Sequence, residues 1–205
     1  MHIYAFGSIC RGEIDSQSDI DLLAIVDGTD DRFDPVIYSI YSYKRLAGLW
    51  EEGNPFAWHL ASEAKIIFAS NGEDFIEQLG LPTAYRTCKE DCRKFYNLYC
   101  TAIESISSGS CSLVFELSNI FLAIRNFATC FLLGKEKIKN FSRRSALQMN
   151  EKSIIISPAT FELLERSRIL SIRGSGTIIK YDDIKSSLED LYSIKTWMTG
   201  LLEEV

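Results

Sequence analysis

The segment from Gly7 to Asp21 constrains this chain more than any other stretch. A Gly7-Ser8 pair follows a short apolar run. Ten residues lie between Ser8 and the first of two aspartates, Asp19 and Asp21, which are separated by one residue. A second apolar run, residues 22–26, comes directly after them. This order predicts a strand, a turn and a second strand that carries the two acids.

The two aspartates are spaced for joint metal binding. Because strand side chains alternate between faces, Asp19 and Asp21 should project from one face, about 6–7 Å apart along the strand. Ile20 and Leu22 are then expected to point the other way, into a core. Neighbouring carboxylates hold hard divalent cations, and a Gly-Ser turn can present N–H groups and a hydroxyl to a phosphate chain. These are the parts of a metal-dependent phosphoryl or nucleotidyl transfer site.

The segment resembles the nucleotidyltransferase motif of the DNA polymerase beta superfamily, which has Gly-Ser, ten residues and Asp-x-Asp. The Arg11-Gly12 pair and residues 18–23, Ser-Asp-Ile-Asp-Leu-Leu, are typical of its minimal branch. That branch includes aminoglycoside nucleotidyltransferases and small AMP-transferring antitoxins. The resemblance implies transfer of a nucleoside monophosphate, with AMP from ATP as the expected case. The acceptor would be a hydroxyl of a small molecule or a protein, and pyrophosphate would leave.

The resemblance also implies a role for each residue of the motif. Asp19 and Asp21 would be the catalytic, metal-binding pair and would share one or two Mg²⁺ ions. Gly7, Ser8 and Arg11 would bind the nucleoside triphosphate, with Arg11 neutralising phosphate charge. The partners implied are therefore a nucleoside triphosphate and a hydroxyl acceptor that the motif does not specify.

A third carboxylate usually stands on the neighbouring strand in this family, and the chain departs from that pattern. Residues 35–42 are rich in β-branched and aromatic residues, which predicts a third strand, but they hold no acid. Asp34 precedes this strand and Glu63 lies near the end of a predicted helix, so either could substitute. Two hypotheses follow. One is an active transferase, and the other is a catalytically degenerate nucleotide-binding or partner-binding module, such as a toxin–antitoxin component.

The pattern changes to long apolar-faced helices near residue 82, which predicts two domains, 1–82 and 83–205. The fold class expected is α+β, with a small mixed β-sheet nucleotidyltransferase head followed by an all-α helical bundle. Helices are predicted at 84–108, 112–133, 141–150, 157–173 and 182–203.

The helical half carries a second, weaker resemblance. The string from Arg125-Asn126 to Cys130 is similar to the Arg-Asn-x-x-x-His motif of HEPN domains, with Cys130 in place of the histidine. HEPN ribonucleases depend on that histidine, so the resemblance implies a HEPN-like helical fold, and ribonuclease activity is not carried over to this chain. Bundles of kanamycin-type nucleotidyltransferases look similar. A homodimer, if formed, is expected to use this half.

Composition and net charge bear on four further properties: nucleic-acid binding, membrane insertion, localisation and zinc binding. The net charge of −6 argues against an extended nucleic-acid-binding surface. Residues 113–133 are strongly apolar but interrupted by polar side chains, which predicts a buried bundle helix and no membrane span. The first residues lack a basic region, so a cytoplasmic protein is expected. The six cysteines show no zinc-like spacing; Cys88 and Cys92 could pair on one helix, but reduced thiols are the favoured interpretation.

Overall fold

The computed structural model describes two compact units, Met1–Arg86 and Thr87–Val205. The residues that it describes are 1–13, 20–28, 30–109, 112–174 and 176–205. The first unit contains a sheet with short helices and the second is largely helical, which confirms the α+β fold class. The division after Arg86 and the division predicted after residue 82 both fall in the irregular stretch between Leu79 and Cys88.

The sheet of the first unit is mixed. Its strands are His2–Phe6 (β1), Asp21–Ile25 (β2), Tyr38–Tyr41 (β3) and Lys65–Ala69 (β4). In the described residues they form one sheet of order β3-β2-β1-β4, where β1 is antiparallel to β2 and β4, and β2 is parallel to β3. Phe6 at the end of β1 faces Asp21 at the start of β2. The sheet therefore brings the residue before Gly7 next to Asp21.

Short helices with clear end signals connect the strands. They are Ser8–Arg11 (α1), Tyr43–Glu52 (α2), Pro55–Glu63 (α3) and Phe75–Leu79 (α4). Helix α2 ends at Gly53 in the left-handed region, and the Asn54 side chain then accepts a hydrogen bond from the Phe56 N–H to start α3. The order Gly53-Asn54-Pro55 is typical of one helix ending and another beginning, and the structure has both at these positions. The single-turn α1 was not predicted.

The third strand begins three residues later than the sequence predicts. The Asp34 carboxylate accepts a hydrogen bond from the Val36 N–H, and its carbonyl accepts from the N–H groups of Ile37 and Tyr38. These hydrogen bonds hold residues 34–38 in a turn, so the backbone joins the sheet only at Tyr38.

The main core of the first unit lies on one face of the sheet. Leu23 and Ile25 are fully buried there against helices α2 and α3. Asp21 shares their face by strand alternation. Ile20 is 58% exposed and Leu22 is half-buried, so the prediction that these two point into the core was wrong. The helices cover the side of the sheet opposite to the one expected.

The second unit is built from long helices and short turns. The α-helices are Cys88–Ser107 (α5), Leu113–Phe131 (α6), Pro158–Arg173 (α7), Tyr181–Ile184 (α8) and Leu188–Leu202 (α9). A π-helical turn spans Leu132–Glu136, and 3₁₀ turns span Ser145–Leu147, Asn150–Lys152 and Lys185–Ser187. The predicted helix at 182–203 is thus divided into α8, a 3₁₀ turn and α9.

The prediction of a helix at 141–150 was wrong. The Asn140 side chain accepts a hydrogen bond from the Ser142 N–H, and the Ser142 hydroxyl accepts one from the Arg144 N–H. Such side-chain bonds offer the backbone an alternative to a helical ladder, and they leave only the two short 3₁₀ turns.

Helix α6 forms the centre of the second unit. Together with the π-helical turn, residues 113–136 are long and apolar enough to cross a membrane, yet 72% of their most apolar window is buried. Helices α5 and α7 both pack against it. This burial supports the prediction of a core helix in the bundle.

Candidate functional site

The Asp21 carboxylate lies directly against the backbone of Gly7. Gly7 adopts a φ of 77°, in the left-handed region, and a Cβ built on it would overlap the Asp21 Oδ2 atom. Only glycine leaves room for the carboxylate at this point. The structure therefore brings together the Gly-Ser turn and the second acid of the predicted motif.

Ser8 begins the single-turn helix that follows Gly7. The Cys10 N–H donates to the Gly7 carbonyl over 3.1 Å, and the Glu13 N–H donates to the Ser8 carbonyl over 3.0 Å. Gly12, with a φ of 72°, ends the helix in the left-handed region. The predicted phosphate-binding turn is therefore closed by its own backbone hydrogen bonds. Ser8 is half-buried in this turn and directly follows Gly7, the residue that contacts Asp21.

Arg11 is held in a network of charged side chains. Its Nη1 atom lies 2.5 Å from Glu63 Oε2, and its Nε atom lies 2.9 Å from Glu13 Oε2. The His59 Nε2 atom lies 2.9 Å from the same Glu63 oxygen. The side chains of Arg11, His59 and Glu63 are only 11–19% exposed. The network therefore ties α1 to the last turn of α3.

Sequence reasoning missed this network. The sequence indicated Glu63 only as a possible substitute for the third acid. The spacing of four residues on a predicted helix could have indicated the His59–Glu63 pair. Nothing in the sequence indicates that Arg11, far away along the chain, would join it.

Charges of both signs surround the Cys10 thiol. Burial raises the pKa of Cys10, and the nearby Glu63 carboxylate raises it further, as does Asp21. Lys65 and Arg11 act in the opposite direction. Asp21 and Glu63 therefore lie at the same end of the sheet, in an environment that contains two cations.

An open pocket lies beside Asp21, between the starts of β2 and β3. Its volume is about 320 Å³, and its lining consists of Ile20, Asp21, Leu22 and residues 35–39. Asp21 is the only acid in this lining, which belongs entirely to the described part of the chain. The β2–β3 register pairs Leu22, the residue after Asp21, with Tyr38 at the start of β3.

The two candidate substitutes for the third acid have other partners. Glu63 binds Arg11 and His59, and the Asp34 carboxylate holds the turn before β3. Neither lines the pocket beside Asp21.

Comparison with known families identifies the segment that contains this site. Residues 2–96 match the family model of the nucleotidyltransferase domain. The matched segment covers the first unit from His2 onward and extends into α5. It supports placement in the polymerase beta-like superfamily and a nucleotidyl transfer reaction. A comparison with curated proteins finds no match.

Asp21 is the one member of the predicted metal-binding pair that lies within the described residues. Asp19 lies outside the described residues, and within the described ranges no cluster of three or more His, Cys, Asp or Glu side chains is arranged to hold a metal. Mg²⁺ in nucleotide sites commonly uses one or two carboxylates, with phosphate and water oxygens as the other ligands. The exposed Asp21 carboxylate, next to the Gly7-Ser8 turn, fits that chemistry.

The HEPN-like string lies in α6 of the second unit. The Arg125 Nη2 atom donates to the Phe141 carbonyl over 3.1 Å, and Cys130 is buried. Asn126 is half-buried. These contacts attach α6 to the segment that follows it, and the HEPN likeness stays a prediction.

Proposed function

We propose that the nucleotidyltransferase domain transfers a nucleoside monophosphate from a triphosphate to a hydroxyl group and releases pyrophosphate, in a reaction that depends on Mg²⁺. ATP is the expected donor, and the acceptor is a small molecule or a protein. The observation that supports this proposal is the contact between the Asp21 carboxylate and Gly7 at the Gly-Ser turn. It lies within the segment that matches the family model.

Each residue of the site has a role in this proposal. The Ser8 hydroxyl and the backbone of the turn bind the phosphate chain. Asp21, together with Asp19, holds the metal, which when bound neutralises charge on the phosphates. Arg11 adds positive charge, and its carboxylate partners Glu13 and Glu63 fix its orientation.

A second candidate function is nucleotide binding without transfer. The specific observation in its favour is the lining of the pocket beside Asp21, where β3 contributes Tyr38 and Ser39 and no acid. Loss of a general base typically lowers turnover by about 10²–10⁴-fold. A protein of this kind would sense a nucleotide or bind a partner, as a toxin–antitoxin component does.

Binding and turnover measured together separate the two functions. ATP would be titrated by calorimetry with and without Mg²⁺, and pyrophosphate release would be followed in mixtures of hydroxyl acceptors. The variants are Asp21→Asn and the double variant Asp19→Ala/Asp21→Ala. Asp31→Asn, at an exposed turn of the same unit, is the matched control.

We expect Mg²⁺-dependent ATP binding and pyrophosphate release in the wild type and in the Asp31→Asn control, with both lost in the double variant. Magnesium-dependent binding without release from any acceptor mixture would instead support the second function. Failure of the wild type to bind any of the four ribonucleoside triphosphates would overturn both.

A further inference from the structure

Ser39 lies beside Asp21 in the open pocket between β2 and β3. Both residues line this pocket, whose volume of about 320 Å³ is within the range of about 300–1,000 Å³ that is typical of small-ligand sites. Ser39 is exposed, and its hydroxyl has no hydrogen-bond partner within the described part of the chain. An accessible hydroxyl next to Asp21 is therefore available to react.

We propose that Ser39 is itself an acceptor, so that the protein transfers a nucleoside monophosphate from a bound triphosphate to its own Ser39 hydroxyl. The inference rests on the proposed nucleotidyl transfer, and it adds a modification site and an acceptor within the chain. The modified serine carries the nucleoside monophosphate through a phosphodiester bond to its Oγ atom.

The sheet directs Ser39 and Asp21 to the same face. The β2–β3 register pairs Ser39 with Leu23, which comes two residues after Asp21 on β2. Because side chains alternate along a strand and paired residues share a face, Ser39 projects from the face of Asp21. A strand spacing of about 4.8 Å and a rise of about 3.3 Å per residue put their Cα atoms about 8 Å apart. A phosphoryl group held at Asp21 is then within reach of Ser39, since reacting atoms must approach to about 3–3.5 Å.

Tyr38 is the other residue of the pocket lining that carries a hydroxyl, and it projects from the opposite face. It precedes Ser39 on β3, and its ring packs edge-on against Phe33, with 5.1 Å between the ring centroids. Phe33 belongs to the small cluster on the sheet face without helices. Of the two hydroxyl groups, only that of Ser39 is on the face of Asp21.

The pocket can also accommodate the product. It is open, and β3 is an edge strand of the sheet formed by the described residues. A nucleotide attached to the exposed Ser39 can therefore extend into solvent without displacing the core. The attached nucleotide then occupies the pocket beside Asp21, so we expect each chain to be modified once.

The transfer is a single balanced displacement. The Ser39 Oγ atom attacks the α-phosphorus of the triphosphate, the bond from this phosphorus to the oxygen shared with the β-phosphate breaks, and pyrophosphate leaves. The serine proton passes to water, because the lining contains no acid besides Asp21. One phosphate ester bond forms, one phosphoanhydride bond breaks, and no electrons are gained or lost.

Mass spectrometry of the full-length protein tests the proposal. The protein would be incubated with Mg²⁺ and each of the four ribonucleoside triphosphates in turn, without an added acceptor, and digested with trypsin. Cleavage after Arg32 and Lys44 releases residues 33–44 as one peptide. We expect one triphosphate to raise the mass of this peptide by one nucleoside monophosphate, and electron-transfer fragmentation to locate the added mass on Ser39. An unmodified peptide, or a modification at another of its residues, would overturn the proposal.

Variants at and near Ser39 test the assignment. Ser39→Ala should abolish the modification, whereas Ser39→Thr should retain it, because threonine keeps a hydroxyl at this position. Tyr41→Phe is the matched control, since it removes a hydroxyl from the same face of β3 two residues further on, and it should leave the modification unchanged. Modification of the Ser39→Ala peptide to the wild-type extent would overturn the assignment.

A mixture of two variants tests whether the transfer occurs within one chain. Ser39→Ala retains Asp21, and Asp21→Asn retains Ser39. Because the pocket joins these residues within a single chain, the mixture should yield no modified peptide 33–44. A modified peptide in the mixture, with neither variant modified alone, would contradict the geometry on which the proposal rests.

Calorimetry distinguishes a failure of this inference from a failure of the proposed function. A wild-type protein that binds Mg-ATP and releases pyrophosphate with an added acceptor, yet leaves peptide 33–44 unmodified, would overturn the modification of Ser39 alone. A wild-type protein that binds none of the four ribonucleoside triphosphates would overturn the proposed function and the modification together.

Discussion

The two units of this protein bury apolar surface in different ways. In the first unit, helices cover one face of the sheet, and on the other face Ile40 and Phe68 remain 37% and 44% exposed. In the second unit, α5 and α7 pack against α6, and Phe127 is fully buried. The sheet face without helices holds a small buried cluster of Ala24, Val26 and Phe33, and charged groups meet solvent at one end of the sheet. We therefore expect substitutions that remove buried side-chain volume to destabilise the protein most in the second unit. Substitutions that remove charge should have their largest effect in the first unit.

The largest effect is expected from removing volume at Phe127. Its ring is fully buried and lies 5.5 Å from the Trp197 ring between centroids. Phe127→Ala should lower the free energy of unfolding by about 3–5 kcal/mol, because it removes apolar contacts and leaves a cavity. Urea denaturation measures the change. Phe115→Ala, on the same helix at a position that is 54% exposed, should change it by less than about 0.5 kcal/mol. Equal losses at the two positions would contradict the assignment of Phe127 to the core of the second unit.

An intermediate effect is expected from removing charge at Glu63. Its carboxylate accepts hydrogen bonds from Arg11 and His59 in a mostly buried network. Glu63→Gln should lower the free energy of unfolding by about 1–3 kcal/mol, since bonds to charged groups are stronger than neutral ones. Glu52→Gln, in an exposed pair with Arg45, should cost less than about 1 kcal/mol.

Turnover of the same Glu63→Gln variant sharpens the comparison. If Glu63 only positions Arg11, the KM for ATP should rise while kcat changes by less than about tenfold. A fall in kcat of about 10²–10⁴-fold at unchanged stability would instead make Glu63 the missing base.

The smallest effect is expected from Asp190 in the second unit, and it depends on pH. Hydrogen bonds from Ser157 and Thr160 lower the pKa of Asp190 below its ordinary value of 3.8. Because the pKa of Asp190 is lower in the folded state than in the unfolded state, the ionised carboxylate stabilises the fold. That stabilisation is present in full above the pKa of the unfolded state and is lost as pH falls through the pKa of the folded state. Asp190→Ala should therefore lower the free energy of unfolding by about 1 kcal/mol at pH 7, with a smaller difference at strongly acidic pH.

Urea denaturation at a series of pH values measures that difference. Asp182→Ala, whose side chain is 83% exposed, is the control and should have little effect at any pH. If the difference in free energy of unfolding between the wild type and Asp190→Ala grew as pH falls, the stabilising role of the ionised Asp190 carboxylate would be contradicted.

Local signals in the sequence predicted much of the fold. The end of α2 and the start of α3 can be predicted from the order Gly53-Asn54-Pro55, because the capping bonds there involve residues close together in the chain. The helix predicted at 141–150 failed for a related reason, since Asn140 and Ser142 form local bonds that compete with a helix. The face on which α2 and α3 pack depends on tertiary contacts, so the orientation of Ile20 and Leu22 could not be predicted from alternation alone.

The candidate site was predictable only where it is a contiguous motif. The contact of Gly7 with Asp21 follows from the motif and the antiparallel pairing of β1 with β2. The link between Arg11 and Glu63 joins two helices that are distant in sequence, so no spacing rule indicates it. Asp19 lies outside the described residues, and its role as a metal ligand stays a prediction.

The carboxylate packed against Gly7 also limits how this protein can evolve. Even alanine, the smallest replacement, would have to displace Asp21 and adopt an unfavourable backbone conformation at the same time. In a saturation library at codon 7 selected for nucleotide binding, the surviving clones should encode glycine alone. The neighbouring open positions, such as Gly12, face no such collision and should accept a wider set of residues.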